Sequence, residues 1–248
     1  AFDDLSCVYE SLHIAMAGCG DAYSVEGKFI RKLPFVRYQR EGAKPDLFVV
    51  PDTSEGWVAA LRFGVERWFD GHDAEYDFSN LRAAGTVLRT KGGQASGPGP
   101  LRYVLDGVRR VILSRQGGSI RPIDGNDIMC ITGEAGNSGG QRRTAKLSLS
   151  DWGDTEMRDA KGPDFFAATP WRSNANNSAA WPDEGPSMVD LLDQMTTMFK
   201  HKSGERGIFS RSAALRTMPP ERAAFLVARG AADSSGTNPC GEIVLQSR

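Results

Sequence analysis

The chain has 248 residues, of which 40% are apolar and 25% are charged, and its formal net charge is −1. This near-neutral balance gives no electrostatic argument for a nucleic-acid or membrane partner, and no apolar run approaches the ~20 residues that a membrane-spanning helix needs. The 4 cysteines are too few and too scattered for a disulfide scaffold. Because no cysteines or histidines stand at metal-ligand spacing, we expect no metal site, and a reducing cytoplasm is the expected location.

In chain order, the first half of the sequence predicts mainly helices. Apolar side chains recur at helical intervals in residues 5–17, and the glycines at 18 and 20 stop that helix. The Gly-rich and Pro-rich stretch 91–100 is short, and we interpret it as a tight loop inside one domain rather than as a boundary. Helical stripes also occur in three further segments, residues 57–69, 101–113 and 124–134.

The second half adds strands. Residues 144–152 alternate apolar and polar side chains as a strand does, and residues 203–210 are predicted to form a turn that runs into a short strand. The clearest helix is predicted over residues 187–200, behind a Ser cap, and another over 219–230. Strands that alternate with helices argue for an α/β fold with parallel strands.

The segment with the strongest chemical signal is Thr237-Asn238-Pro239-Cys240-Gly241-Glu242-Ile243. Asn238, Cys240 and Glu242 stand two residues apart, so an extended backbone would place their side chains on one side. An amide, a thiol and a carboxylate would then converge on one ligand. The alternative is a turn that holds a buried structural cysteine, which is the commoner role of a free cysteine.

At this point the sequence resembles a known family, the ribonucleotide reductases, whose finger-loop signature is similar to NPCGEI at residues 238–243. Eight further segments occur in the order expected of the adenosylcobalamin-dependent subgroup: EGKFIRKLP, PDTSEGW, KGGQASGPGPL, NDIMC, GGQRR, EMRDAK, ANNSA and SGERGIF. Each string alone would be weak evidence for the family, but their collinear order makes the resemblance specific.

The resemblance implies a fold and a reaction. Residues 1–248 would form a partial catalytic domain, the first half of a ten-stranded α/β barrel with the finger loop at its C-terminal end. Cys240 would become a thiyl radical that abstracts the ribose 3′-hydrogen, Glu242 would act as general base, and Asn238 would bind the ribose hydroxyls. Adenosylcobalamin would start the radical reaction, which reduces ribonucleotides to 2′-deoxyribonucleotides.

Two further segments are candidate nucleotide sites. The first contains two glycines, with exposed backbone N–H groups, followed by two arginines. Backbone N–H and guanidinium groups suit phosphates or base edges. A solvated basic turn would have the same composition. This first segment resembles the family's loop between a deoxynucleotide effector and the substrate base, and its members are Gly139, Gly140, Gln141, Arg142 and Arg143. The second resembles the strand that lines the substrate site, with Asn176, Asn177 and Ser178.

Three other cysteines carry no assigned role. Cys7 and Cys130 are expected in the core, and the segment Gly18-Cys19-Gly20-Asp21 departs from the family pattern, because Asp21 adds a charge where small apolar residues are usual. The family's reducing cysteine pair, which a thioredoxin-type reductant serves, has no match in this chain. We therefore expect an internal fragment, inactive in isolation. Two alternatives stay open: a piece of a di-metal-dependent large subunit, or a non-catalytic nucleotide-binding remnant.

Overall fold

The computed structural model describes residues 1–88, 92–138 and 144–246, and every structural statement refers to these residues. The strands are β1 (Asp21–Ser24), β2 (Asp46–Val49), β3 (Ala74–Asp77), β4 (Lys146–Asp151), β5 (Ala175–Ala180), β6 (Gly207–Phe209), β7 (Gly236–Thr237) and β8 (Val244–Leu245). The helices are α1 (Ser6–Met16), α2 (Gly27–Ile30), α3 (Ser54–Phe69), α4 (Gly99–Leu113), α5 (Pro122–Asn137), α6 (Thr155–Arg158), α7 (Phe165–Ala168), α8 (Met188–His201), α9 (Arg211–Thr217) and α10 (Pro220–Ala228).

A parallel sheet organises the fold. Its four strands lie in the order β1-β4-β5-β6, and all three neighbouring pairs run parallel. The crossover connections contain helices, as parallel pairing requires. The predicted α/β class with parallel strands is therefore confirmed.

The two faces of this sheet differ in what covers them. Lys146 and Ser148 on β4 face helices α1 and α5, because Lys146 bonds to Ser11 of α1 and a Cβ on Gly133 of α5 would lie 3.2 Å from its Cε. Side chains alternate along a strand, so Leu147 and Leu149 face the other way. The apolar core lies on the helical side, between α1, α3, α4 and α5.

A second, smaller sheet lies between β1 and β4 in the sequence. Strands β2 and β3 pair in parallel, with α3 as their connection, and α4 follows them. Aromatic side chains join this sheet to α3, with ring centroids of Phe48 and Phe63 5.0 Å apart. Trp68 of α3 is fully buried in the common core, so this region packs on the rest of the chain.

Helix α8 forms where the sequence predicts it, but its apolar stripe does not face the core. The Ser187 hydroxyl accepts the Asp190 N–H at 3.1 Å, which caps the helix start. Its buried residues are Gln194 and Thr197, whereas Phe199 is 86% exposed and Val189 is 75% exposed. Periodicity thus located this helix without fixing which face packs on the sheet. Across the described ranges, the helices all fall short of the length and apolarity that crossing a membrane requires.

Candidate active site

The finger loop, residues 236–245, is a β-hairpin. Strands β7 and β8 pair antiparallel, and the Asn238 N–H donates to the Ile243 carbonyl at 3.1 Å. Within the turn the Gly241 N–H donates to the Asn238 carbonyl at 3.0 Å, and Gly241 has a φ of +84°, which favours glycine. The predicted extended geometry for residues 238–242 is therefore wrong: the segment turns back on itself.

The turn still contains all three predicted residues, but they differ in how exposed their side chains are. Cys240 and Glu242 are exposed at the tip, while Asn238 is half-buried and its Oδ1 accepts the Ile243 N–H at 2.9 Å. The Asn238 side chain thus closes the loop that presents the other two. The exposure of Cys240 argues against a buried structural cysteine.

The finger loop lies across the sheet face that the helices leave free. A Cβ on Gly236 would lie 3.4 Å from Leu149 Cδ1, and Pro239 is buried against the start of β1. There, a Cβ on Gly20 would lie 2.9 Å from Pro239 Cγ, closer than side-chain contacts allow. Gly20 therefore provides the space into which the loop tip packs. Its neighbourhood of glycines was the sequence signal for this close approach.

Strand β5 presents its candidate substrate residues on opposite faces. Asn176 pairs laterally with Leu147 and shares its face, and its Nδ2 donates to the Pro239 carbonyl at 3.5 Å. Asn177 pairs with Ser148, so it lies on the helical side, where it is 3% exposed and its Oδ1 has no partner among the described residues. Only Asn176 and Ser178 therefore share a face with the finger loop.

A polar cleft adjoins the loop at the amino ends of β4 and β5. Its volume is about 370 Å³, and residues 144–146 and 173–176 line it. Because Asn176 lines this cleft and its Nδ2 lies 3.5 Å from the Pro239 carbonyl oxygen, the cleft is a direct neighbour of the Cys240 turn.

The unusual charge of Asp21 is neutralised inside the protein. Its carboxylate accepts from the Lys146 ammonium at 3.0 and 3.1 Å, and the Ser11 hydroxyl joins both groups. The Lys146 side chain is fully buried and that of Asp21 is 8% exposed. Asp21 therefore belongs to a polar contact between β1, β4 and α1, on the face away from the finger loop.

The predicted effector loop, with Gly139, Gly140, Gln141, Arg142 and Arg143, lies outside the described residues. Ser138, which precedes it, borders a second cleft of about 410 Å³. That cleft also contains the start of α3, where the Thr53 hydroxyl accepts the Gly56 N–H at 2.9 Å, and the Asp52–Arg82 ion pair at 2.7 Å. The cleft thus combines a helix start with an arginine that is already paired with Asp52, and Glu55 adds a second carboxylate to its lining.

Of the three remaining cysteines, Cys7 and Cys130 pack as structural groups, whereas Cys19 is exposed. Cys130 is fully buried, and burial raises the pKa of its thiol to about 11. Cys7 is half-buried against the core, and burial also raises its pKa. Both expectations are thus confirmed. The described part of the chain contains no group of three or more His, Cys, Asp or Glu side chains that could hold a metal ion.

Sequence reasoning missed one buried ion pair beside the finger loop. Arg211, at the start of α9, donates two hydrogen bonds to the Glu26 carboxylate and one to the Ser235 carbonyl. The available signal was weak: each residue is a charged side chain just after a short strand.

Comparison with known proteins gives consistent matches. Residues 35–112 match the family model described as the B12-dependent ribonucleotide reductase insertion domain. Adenosylcobalamin-dependent ribonucleoside-triphosphate reductases from Euglena gracilis and Lactobacillus leichmannii are 31% and 30% identical, over 81% and 79% of this chain. The chain spans 26% of the length of each. A crystal structure of a B12-dependent (class II) ribonucleotide reductase superimposes with a TM-score of 0.80 and 25% identity, over 98% of this chain and 37% of that one.

Proposed function

Because the chain belongs to the family of B12-dependent ribonucleotide reductases, we propose that it supplies part of the catalytic core of such an enzyme. The observation that carries the proposal is the finger loop: an exposed thiol and an exposed carboxylate on a short turn, seated over the open face of a parallel sheet. A loop in this setting can present Cys240 to a nucleotide on one side and to a radical source on the other.

The proposed architecture is half of a ten-stranded barrel, within one partial catalytic domain over residues 1–248. Four parallel strands with helices on one face and the finger loop on the other support this arrangement. The small sheet β2–β3 and helices α3 and α4 lie within or overlap residues 35–112. In this proposal they are an insertion carried by the barrel.

The proposed reaction uses the finger loop in steps. The Cys240 thiyl radical takes the ribose 3′-hydrogen, and the S–H bond forms again. One thiol of a dithiol protonates the 2′-hydroxyl, which leaves as water while Glu242 takes the proton of the 3′-hydroxyl. The dithiol then gives a hydrogen atom to C2′ and an electron to the C3′ ketone and becomes a disulfide, and Glu242 returns its proton to the 3′-oxygen. Cys240 finally returns the hydrogen atom to C3′, which restores the thiyl radical. Asn238 holds the turn, and Asn176 and Ser178 lie on the face toward the ribose.

Adenosylcobalamin, when bound, supplies the radical that oxidises the Cys240 thiol. The exposure of Cys240 fits this role, because a cofactor outside the described fold can approach the sulfur. No residue of this chain is assigned to its binding. The reductant would be a thioredoxin-type dithiol protein that acts through cysteines beyond this sequence.

The nucleotides are proposed to bind in the two clefts. The cleft beside Asn176 suits the substrate, since it adjoins the loop that bears Cys240. The cleft beside Ser138 suits a deoxynucleotide effector, because it contains the start of α3 and is lined by Ser138, which directly precedes the segment with Arg142 and Arg143 in the sequence. The loop after Ser138 would then connect the two ligands.

The test is deoxynucleotide formation by the full-length protein with adenosylcobalamin and a dithiol, compared with Cys240→Ser. We expect turnover in the parent and none in the variant. Bound nucleotide without turnover in the parent would favour a non-catalytic remnant. Turnover that requires an iron-containing subunit and not adenosylcobalamin would favour the di-metal class.

A further inference from the structure

We propose that Glu26 and Arg211 form a clamp that positions the finger loop on the sheet. The inference rests on the proposed function in one respect, namely that the loop's position matters because it carries Cys240. The clamp itself is argued from contacts at the base of the loop.

The clamp consists of one guanidinium group with two kinds of acceptor. Arg211 Nη1 and Nη2 donate to Glu26 Oε1 and Oε2 at 3.0 and 2.5 Å, and Nε donates to the Ser235 carbonyl at 2.7 Å. A two-pronged arginine–carboxylate contact fixes both distance and orientation. The third bond uses that fixed group to hold the residue directly before β7.

The clamp lies where it can fix the start of the loop relative to the sheet. Glu26 follows β1 and Arg211 follows β6, and these are the two edge strands of the four-stranded sheet. The pair therefore joins the carboxyl ends of both edges, with the entry to the finger loop bound to it. At the tip of the loop, Pro239 packs on Gly20 before β1 begins. The loop is thus fixed at both ends of the sheet face.

Burial and charge favour a closed clamp at neutral pH. The side chains of Arg211 and Glu26 are 10% and 4% exposed. Burial alone would raise the pKa of Glu26, but hydrogen bonds and charge attraction from Arg211, with a bond from Ser24, leave that pKa lowered. Lys28 adds a second tie, since its ammonium donates to the Asp233 carbonyl at 2.6 Å. An ionised carboxylate and two cations thus surround the start of the loop.

The experiment is hydrogen–deuterium exchange of the full-length protein carrying Arg211→Gln. Amides in residues 235–245 should exchange about tenfold faster or more, since bonds to charged groups are lost, while amides of β4 and β5 keep their protection. Arg211→Lys should fall between parent and Gln, because an ammonium cannot form the fork and reach Ser235 together.

The matched control is Arg172→Gln. Arg172 also donates two hydrogen bonds to one carboxylate, that of Asp127, at 2.6 and 2.8 Å, and its side chain is similarly buried. Unlike Arg211, it lies on the helical side of the sheet. This variant should leave exchange in residues 235–245 unchanged. Glu26→Gln, which keeps the side-chain shape, serves where Arg211→Gln fails to fold.

Equal exchange in parent and Arg211→Gln, or the same rise in the control, would overturn the clamp. Turnover is measured separately: kcat should fall about tenfold or more while KM changes less, as displacement of a reacting group predicts. A parent protein without reductase activity, but with the expected exchange pattern, would remove the proposed function and leave the clamp standing.

Discussion

Gly20 and Pro239 lie so close together that a side chain at position 20 has no room: a Cβ on Gly20 would lie 2.9 Å from Pro239 Cγ and 3.3 Å from the Ala145 carbonyl oxygen. The finger loop and the start of β1 are therefore shaped to each other. Since Cys240 follows Pro239 directly, this contact sets how far the thiol stands from the sheet.

Gly20→Ala should push the finger loop off the sheet. The methyl group cannot be accommodated between Pro239 and the Ala145 carbonyl without movement, and overpacking of this kind costs about 1–3 kcal/mol. We expect kcat for deoxynucleotide formation to fall on the order of a hundredfold, because a misplaced reacting group costs that much. Steady-state kinetics of the full-length protein measure it.

Gly153→Ala is the control for that substitution, since a Cβ at Gly153 meets nothing within 4 Å. It should leave kcat within about twofold of the parent, as surface changes usually do. Equal kcat values in the two glycine variants would show that the contact with Pro239 does not position Cys240.

Removing one charge of the Asp21–Lys146 pair should destabilise the protein more than removing both. Lys146→Met leaves a buried carboxylate without its partner, which typically costs about 3–5 kcal/mol. The double variant Asp21→Val, Lys146→Met removes both charges and should recover most of that free energy of unfolding. Urea denaturation of the four proteins gives the coupling energy. Additive losses in the double variant would show that the two charges act independently.

The sequence predicted elements more securely than it predicted faces and turns. Strand β4 and helices α1, α3 and α8 follow from local periodicity, which needs no knowledge of distant contacts. The spacing of Asn238, Cys240 and Glu242 did not distinguish an extended strand from a hairpin, and the pairing of β7 with β8 decided it. The Glu26–Arg211 pair joins positions 185 residues apart, and the weak signal in the sequence, a charged side chain just after each short strand, does not identify either residue's partner.

Asp124 should make stability depend on pH in the acid range. Burial raises its pKa, but the Arg121 and Arg115 guanidinium groups and the Arg121 backbone N–H outweigh this and leave the pKa lowered. A lowered folded-state pKa stabilises the protein above the ordinary value of about 3.9 and ceases to do so as pH falls through the folded value. Asp124→Asn should therefore cost about 1–3 kcal/mol at pH 7.

The difference between Asp124→Asn and the parent should shrink as pH falls below about 4. Urea unfolding at pH 7, 5, 4 and 3 measures it, with the exposed Asp183→Asn as control. A difference that stays constant down to pH 3 would mean that the charge of Asp124 makes no contribution.

The finger-loop residues should separate by role when two products are followed together: tritium released from 3′-labelled ribonucleotide, and deoxynucleotide. Cys240→Ser should abolish both, because an alcohol O–H bond is too strong for the radical reaction to use. Glu242→Gln keeps size and polarity but loses the base, so tritium release should persist while deoxynucleotide formation stops.

Asn238→Asp keeps an oxygen for the Ile243 N–H and should retain the turn, whereas Asn238→Ala loses that acceptor and should cost on the order of a hundredfold in kcat. Either product formed by Cys240→Ser would refute the radical role of Cys240, and equal losses in the two Asn238 variants would show that the acceptor to Ile243 is not what holds the loop.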